Sequence, residues 1–94
     1  MSIRFAVIAA AALAALASPG ARAADPEFCR DYARSAIEQV HRAEHIPSCG
    51  YLLGSGRFSS DWRSHYEWCL NVHHHDAEEE RARRHEALEH CEFH

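Results

Sequence analysis

The residues with most chemistry to offer in this chain are four cysteines, Cys29, Cys49, Cys69 and Cys91, and nine histidines. Nineteen, nineteen and twenty-one residues separate successive cysteines, and no C-x-x-C knuckle occurs. The lack of a knuckle, together with an N-terminal export signal, favours two disulfides over a zinc site. The densest group of other metal-binding side chains is His73-His74-His75-Asp76, with Glu79 and Glu80 about one turn later. Imidazole and carboxylate together suit Zn, Cu or Ni. His73, His74, His75, Asp76 and Glu79 are therefore the candidate metal ligands. Two further pairs, His41 with His45 and His90 with His94, have the i,i+4 spacing that grips an ion from one helix face. The plainer reading of all three groups is a polar, histidine-rich surface with no cofactor.

Catalysis finds little footing. A G-x-S-x-G elbow, a phosphate loop and an H-E-x-x-H pair are all absent. His65 lies between Trp62 and Trp68, and nothing in the local sequence supplies a paired nucleophile. It reads as a structural histidine packed among aromatics with its ring nitrogens hydrogen-bonded. Gln39 reads as a buried polar tie, to His65 or to loop backbone. No catalytic residue is assigned, and the chain is expected not to be an enzyme.

The N-terminus explains where such cysteines would be oxidised. Arg4 precedes an apolar run from Phe5 to Ala17, Ser18-Pro19-Gly20 interrupts it, and Ala21-Arg22-Ala23 supplies small residues for processing. This is the pattern of an export signal, residues 1–23, cut before Ala24. Thirteen apolar residues in a helix span roughly 20 Å, short of the roughly 30 Å of a bilayer core, so no permanent anchor is expected. The remaining domain, residues 24–94, would enter an oxidising space and be periplasmic or secreted. It is small enough to need staples. It has eight Arg, no Lys and fourteen Asp and Glu, a formal charge of −6 with histidine neutral. That charge opposes nucleic acid as a partner. Protonating all nine histidines would bring it to +3, a reversal near the pH where free histidine titrates.

Three helices must position these groups. Asp25-Pro26-Glu27 starts the first, by cap, N1 proline and dipole-favoured acid. Phe28, Cys29, Tyr32, Ala33, Ala36, Ile37 and Val40 form its apolar face, and Pro47 ends it near His45. A loop from Pro47 to Phe58 follows, in which Tyr51-Leu52-Leu53 reads as a lid over the core, with an exposed partner-binding patch as the alternative. Ser59, Ser60 and Asp61 offer caps for a second helix with Trp62, His65, Tyr66, Cys69 and Leu70 inside and Trp68 beside them. Asn71 is its stop, by its tolerance of left-handed backbone. Asp76 opens the third helix, with Glu79 completing a capping box. Its stripe is thin: Ala77, the stem of Arg84, Leu88 and Cys91. The expected core is Tyr32, Ile37, Trp62, His65 and Trp68.

Cys29-Arg-Asp-Tyr32-Ala33 with Ala36-Ile37 and Gln39, then Arg57-Phe58-Ser59-Ser60-Asp61-Trp62, then His65-Tyr66-Glu67-Trp68-Cys69, resembles a small four-cysteine helical domain of exported bacterial proteins. The match is to that family's R-W-S-x-D segment and H-x-x-W-C signature, and Glu79, Arg83, Leu88 and Cys91 fit its last helix. Phe58 stands where the family usually has Trp, and the loop after Cys49 is about two residues longer. The family has no established activity, so the resemblance implies a fold and a cellular address, and no reaction.

The expected architecture is an all-α, disulfide-stapled, three-helix up-down-up bundle. In such a bundle only the pairing Cys29–Cys69 and Cys49–Cys91, of three possible, joins neighbours without crossing a length of roughly 25 Å. The expected function is a small exported binding or structural module of the bacterial envelope, acting on a protein or envelope component. The alternatives are a divalent-metal buffer using the histidine clusters and an acid-responsive chaperone using the charge reversal.

Overall fold

The computed structural model describes residues 24–94; the export signal read at residues 1–23 lies outside them. The described chain is all-helical. Helix α1 spans Pro26–His45, 3-10 segments follow at Pro47–Gly54 and Gly56–Phe58, and α2 (Trp62–Leu70) and α3 (His74–Phe93) complete it. No helix among the described residues is long and apolar enough to cross a membrane.

Helix α1 begins as its sequence dictates. The Asp25 carboxylate accepts a 2.8 Å hydrogen bond from the Phe28 amide, and Pro26 occupies the first turn. Cys29, Tyr32, Ala33, Ala36, Val40 and Ala43 are buried along one face, at three- and four-residue steps. Ile46, held extended before Pro47, closes the helix. The segment read as a loop winds instead into the two 3-10 stretches. Cys49 and Phe58 point inward, and of the expected lid only Leu52 packs on the core; Tyr51 and Leu53 remain exposed.

Helix α2 is capped by Asp61, whose carboxylate accepts from the Arg63 amide at 3.1 Å. Asn71 stops it by a different device from the one expected. Its φ is −106°, and its side-chain amide donates to the Glu67 carbonyl at 2.7 Å, satisfying an otherwise orphaned acceptor.

Helix α3 starts two residues before the expected Asp76, at His74. Its N-cap is His73, which makes no side-chain cap bond. The connection leaves only three residues after α2. The Val72 carbonyl is already engaged by the Ala24 amide at 2.8 Å, and the His73 carbonyl takes the first helical bond, from Ala77, at 3.2 Å. Glu79 lies 3.6 Å from the His75 ring, so the capping box does not form. The thin stripe stands as read: Ala77, Arg84, Leu88 and Cys91 are the buried residues of α3.

Phe28 meets His74 near the starts of α1 and α3, and Arg42 meets Glu92 near their ends, so these two helices run side by side in one direction. The 3-10 segments and the short α2 return the chain between them. Both α2 and α3 pack on α1, which is the hub. Two apolar clusters result. One gathers Ala24, Cys29, Tyr32, Cys69 and Ala77; the other gathers Val40, Ala43, Cys49, Phe58, Leu88 and Cys91. Each holds one disulfide: Cys29–Cys69, with Cα atoms 5.6 Å apart, and Cys49–Cys91, at 5.1 Å. All four cysteines are paired.

The expected core needs correction. Tyr32 and His65 are buried, but Ile37 is only half-buried, and Trp62 and Trp68 are each 40% exposed. Nine residues of α2 bury only the i,i+4 pair His65 and Cys69. Trp62, at the first helical position, stacks instead on Tyr66 at 4.9 Å. Phe58, from the 3-10 segment, takes the large buried aromatic position.

Candidate functional site

The level between the two apolar clusters is polar, and it begins with Gln39 on α1. Its amide nitrogen donates to the Arg81 carbonyl at 3.1 Å, and its amide oxygen accepts from Nε of Arg84 at 2.6 Å. This fixes the Arg84 guanidinium, whose side chain is 1% exposed, with its central carbon 5.0 Å from the Tyr32 ring centroid. A cation over an aromatic face is attracted by the ring quadrupole, more strongly when desolvated. Arg84 Nη1 lies 3.8 Å from the Glu80 carboxylate, and Arg84 Nη2 is buried without a hydrogen-bond partner among the described residues.

Arg57, on the second 3-10 segment, reaches the same Glu80. Its Nε donates at 2.5 Å and its Nη2 at 3.4 Å. Two guanidinium groups thus share one carboxylate, which leaves one unit of positive charge. Arg81 also approaches the Tyr32 ring, at 6.0 Å; its Nε lies 3.5 Å from the Glu78 carboxylate, an ion pair, and is likewise buried without a hydrogen-bond partner among the described residues. Trp68 on α2 completes the site, its ring centroid 5.6 Å from that of Tyr32. Burial raises the Tyr32 pKa above the ordinary tyrosine value, while the adjoining Arg84 cation acts in the opposite direction. The phenol is therefore neutral at physiological pH.

Tyr32, Gly56, Arg57, Trp68, Glu80 and Arg84 line a cavity of about 390 Å³. Its inner residues, Tyr32 and Arg84, are buried, and Arg57 and Trp68 are exposed at its rim. A cavity of this size suits a small molecule or one side chain of a partner, held by aromatic faces and a fixed cation.

The residues read as metal ligands are not gathered. His74 stacks on Phe28 at 3.9 Å and lies 3.5 Å from Asp25, His75 turns to Glu79, and His73 caps the helix through its backbone. Successive helical positions diverge by about 100°, which is why adjacent histidines find different partners. Among the described residues no three His, Cys, Asp or Glu side chains converge as a metal site. His90 and His94 stack on each other at 5.1 Å, and His85 pairs with Glu89. His65 is buried, and its Nε2 donates to the Ser59 carbonyl at 2.7 Å, holding the entry to α2.

Gln39 is the polar tie its place in the sequence suggests, but it ties to Arg81 and Arg84 rather than to His65 or loop backbone, and Arg84 contributes its guanidinium as well as its stem. The available signal was a charged residue inside an apolar stripe, four positions before Leu88, opposite a glutamine on α1. Comparison with protein-family models, with curated proteins and with solved structures finds no match for this chain.

Proposed function

We propose that this chain is a small exported binding module, without enzymatic activity, whose ligand enters the cavity between Tyr32, Trp68, Arg57 and Arg84. The observation that carries the reading is the buried Arg84 guanidinium at the inner wall of a cavity with aromatic sides. A buried cation is costly, and proteins keep one where it has work. Arg84 makes one side-chain hydrogen bond and leaves Nη2 unpartnered, an arrangement that apolar residues at both Gln39 and Arg84 would improve if stability were its only purpose. Export is supported by the pairing of every cysteine, since structural disulfides persist in oxidising compartments such as the periplasm or the extracellular space. In this reading the signal is residues 1–23, the working domain is residues 24–94, and the bacterial envelope is its place of action.

The test is a fragment screen by two-dimensional NMR on the oxidised domain. Small aromatic fragments, neutral and charged, should shift the Gly56 and Arg57 amides and the Trp68 indole while leaving the Trp62 indole in place. A screen in which no fragment moves those three signals would refute the reading. Export is checked separately, by the mass of the protein recovered from the envelope, which should begin at Ala24.

A further inference from the structure

We infer that the ligand of this cavity is a small planar monocarboxylate, with its carboxylate on Arg84 and Arg57 and its flat body against Trp68, which itself rests on Tyr32. The inference rests on the binding reading above and names its ligand.

Charge gives the sign and the number. Arg57 and Arg84 together carry two positive charges, and Glu80 supplies one negative charge to both. One further monoanion brings the group to neutrality. A dianion such as phosphate at neutral pH would leave an excess negative charge beside Glu80, in a partly desolvated site where that repulsion is strong. Hydrogen bonding gives the functional group. The unpartnered Nη2 of Arg84 needs an acceptor, and a planar guanidinium matches a planar carboxylate. The Glu80 carboxylate is drawn to Arg57 at 2.5 Å while it stays 3.8 Å from Arg84, so it leaves the Arg84 fork underused. The walls give the shape. The Trp68 ring packs on Tyr32, tilted by 34° with centroids 5.6 Å apart, and keeps 40% of its own surface exposed; flat unsaturated groups stack on such an indole surface. The volume, about 390 Å³, lies near the small end of ligand cavities and fits a one- or two-ring acid.

The experiment titrates the oxidised domain with benzoate, with its neutral isostere benzamide, and with inorganic phosphate, following Gly56, Arg57 and Trp68 by NMR. Benzoate should bind at least about tenfold more tightly than benzamide, the worth of one charge-assisted hydrogen bond. Phosphate should bind more weakly than benzoate. Two variants give opposite signs. Arg57→Gln leaves one cation with one carboxylate and should weaken benzoate. Glu80→Gln leaves two cations unpaired and should tighten it, while benzamide binding changes little in either. Circular dichroism confirms that both variants are folded. Equal affinity for benzoate and benzamide, or preference for phosphate, overturns the carboxylate assignment and leaves the cavity as a binding site. Silence from benzoate while neutral fragments bind does the same. Silence from every fragment refutes the binding reading itself.

Discussion

Gln39 holds Arg84 across forty-five positions of sequence, through a 2.6 Å hydrogen bond from the arginine Nε to the glutamine amide oxygen. The same glutamine donates to the Arg81 backbone, so one neutral side chain ties α1 to α3 at two points. This link sets the position of the cation at the cavity wall. It also makes the polar level between the two apolar clusters a place where the costs of single substitutions should not add.

Gln39→Leu removes the acceptor from a buried guanidinium and should cost about 1–3 kcal/mol, as does any loss that leaves a buried donor unpaired. Arg84→Leu alone should also destabilise, by stranding the Gln39 amide oxygen. The double variant should lose much less than the sum, because no polar group is then left alone. Urea unfolding of the four proteins measures the coupling. Strict additivity would mean that the bond contributes nothing.

The disulfides should matter to a similar degree. Their sequence separations are 40 and 42 residues, so loop-closure entropy assigns each roughly 4 kcal/mol. Replacing either pair by alanine should lower the melting temperature sharply in a domain whose total stability is of order 5–15 kcal/mol. Loss of Cys49–Cys91 should raise amide exchange first around Phe58 and Leu88, which share its cluster. Uniform exchange in both clusters would show that they unfold as one unit.

Trp62→Ala and Phe58→Ala should separate cleanly. Trp62 is 40% exposed and stacked on Tyr66, so its loss should cost about 1–2 kcal/mol. Phe58 is buried, and truncating it should cost about 3–5 kcal/mol. A Trp62 variant that fails to fold would contradict its placement at the surface.

Alkaline pH should weaken the fold through Tyr32. Its pKa is raised in the folded protein, chiefly by burial, so the neutral phenol is favoured there. The stability this contributes is complete below the unfolded value of about 10 and is lost as pH rises through the higher folded value. Thermal melts between about pH 9 and 11.5, compared with Tyr32→Phe, should show a decline that the phenylalanine variant lacks in part. Identical profiles would remove Tyr32 as the cause.

Acid acts at the start of α1. The Asp25 pKa lies below the usual carboxylate range, first because its side chain accepts from the Phe28 amide, with the His74 ring as a lesser aid. The cap is therefore at full strength above about pH 4 and fails as pH falls through the depressed folded value. Exchange of the Phe28 amide should quicken over that acid range, and Asp25→Ala should show the fast rate at every pH. An unchanged amide in that variant would show that the cap is idle.

Much of the fold is local and could be read from the chain. Asp25-Pro26 and Ile46-Pro47 bound α1 because caps and proline act within a few residues. The stripe Ala77, Arg84, Leu88 and Cys91 followed from helical period, and the cysteine pairing followed once three helices had to reverse direction over a known length. The start of α3 was misread because a three-residue connection, pinned by the Ala24–Val72 bond, outweighed a good capping signal at Asp76. Trp62 was misread because helical period marks a face without saying how much of it a nine-residue helix can bury.

The sequence by itself determined the helical class, the ends of α1, the inward stripe of α3 and the disulfide partners, since each depends on near neighbours or on chain length. Tertiary structure alone decided the site. Tyr32 and Gln39 come from α1, Arg57 from the 3-10 turn, Trp68 from α2, and Glu80 and Arg84 from α3. Which guanidinium meets which carboxylate, and which nitrogen is left without a partner, depends on how four segments dock. Docking is set by packing volumes and by competition for hydrogen bonds between residues tens of positions apart, and no local pattern encodes its outcome.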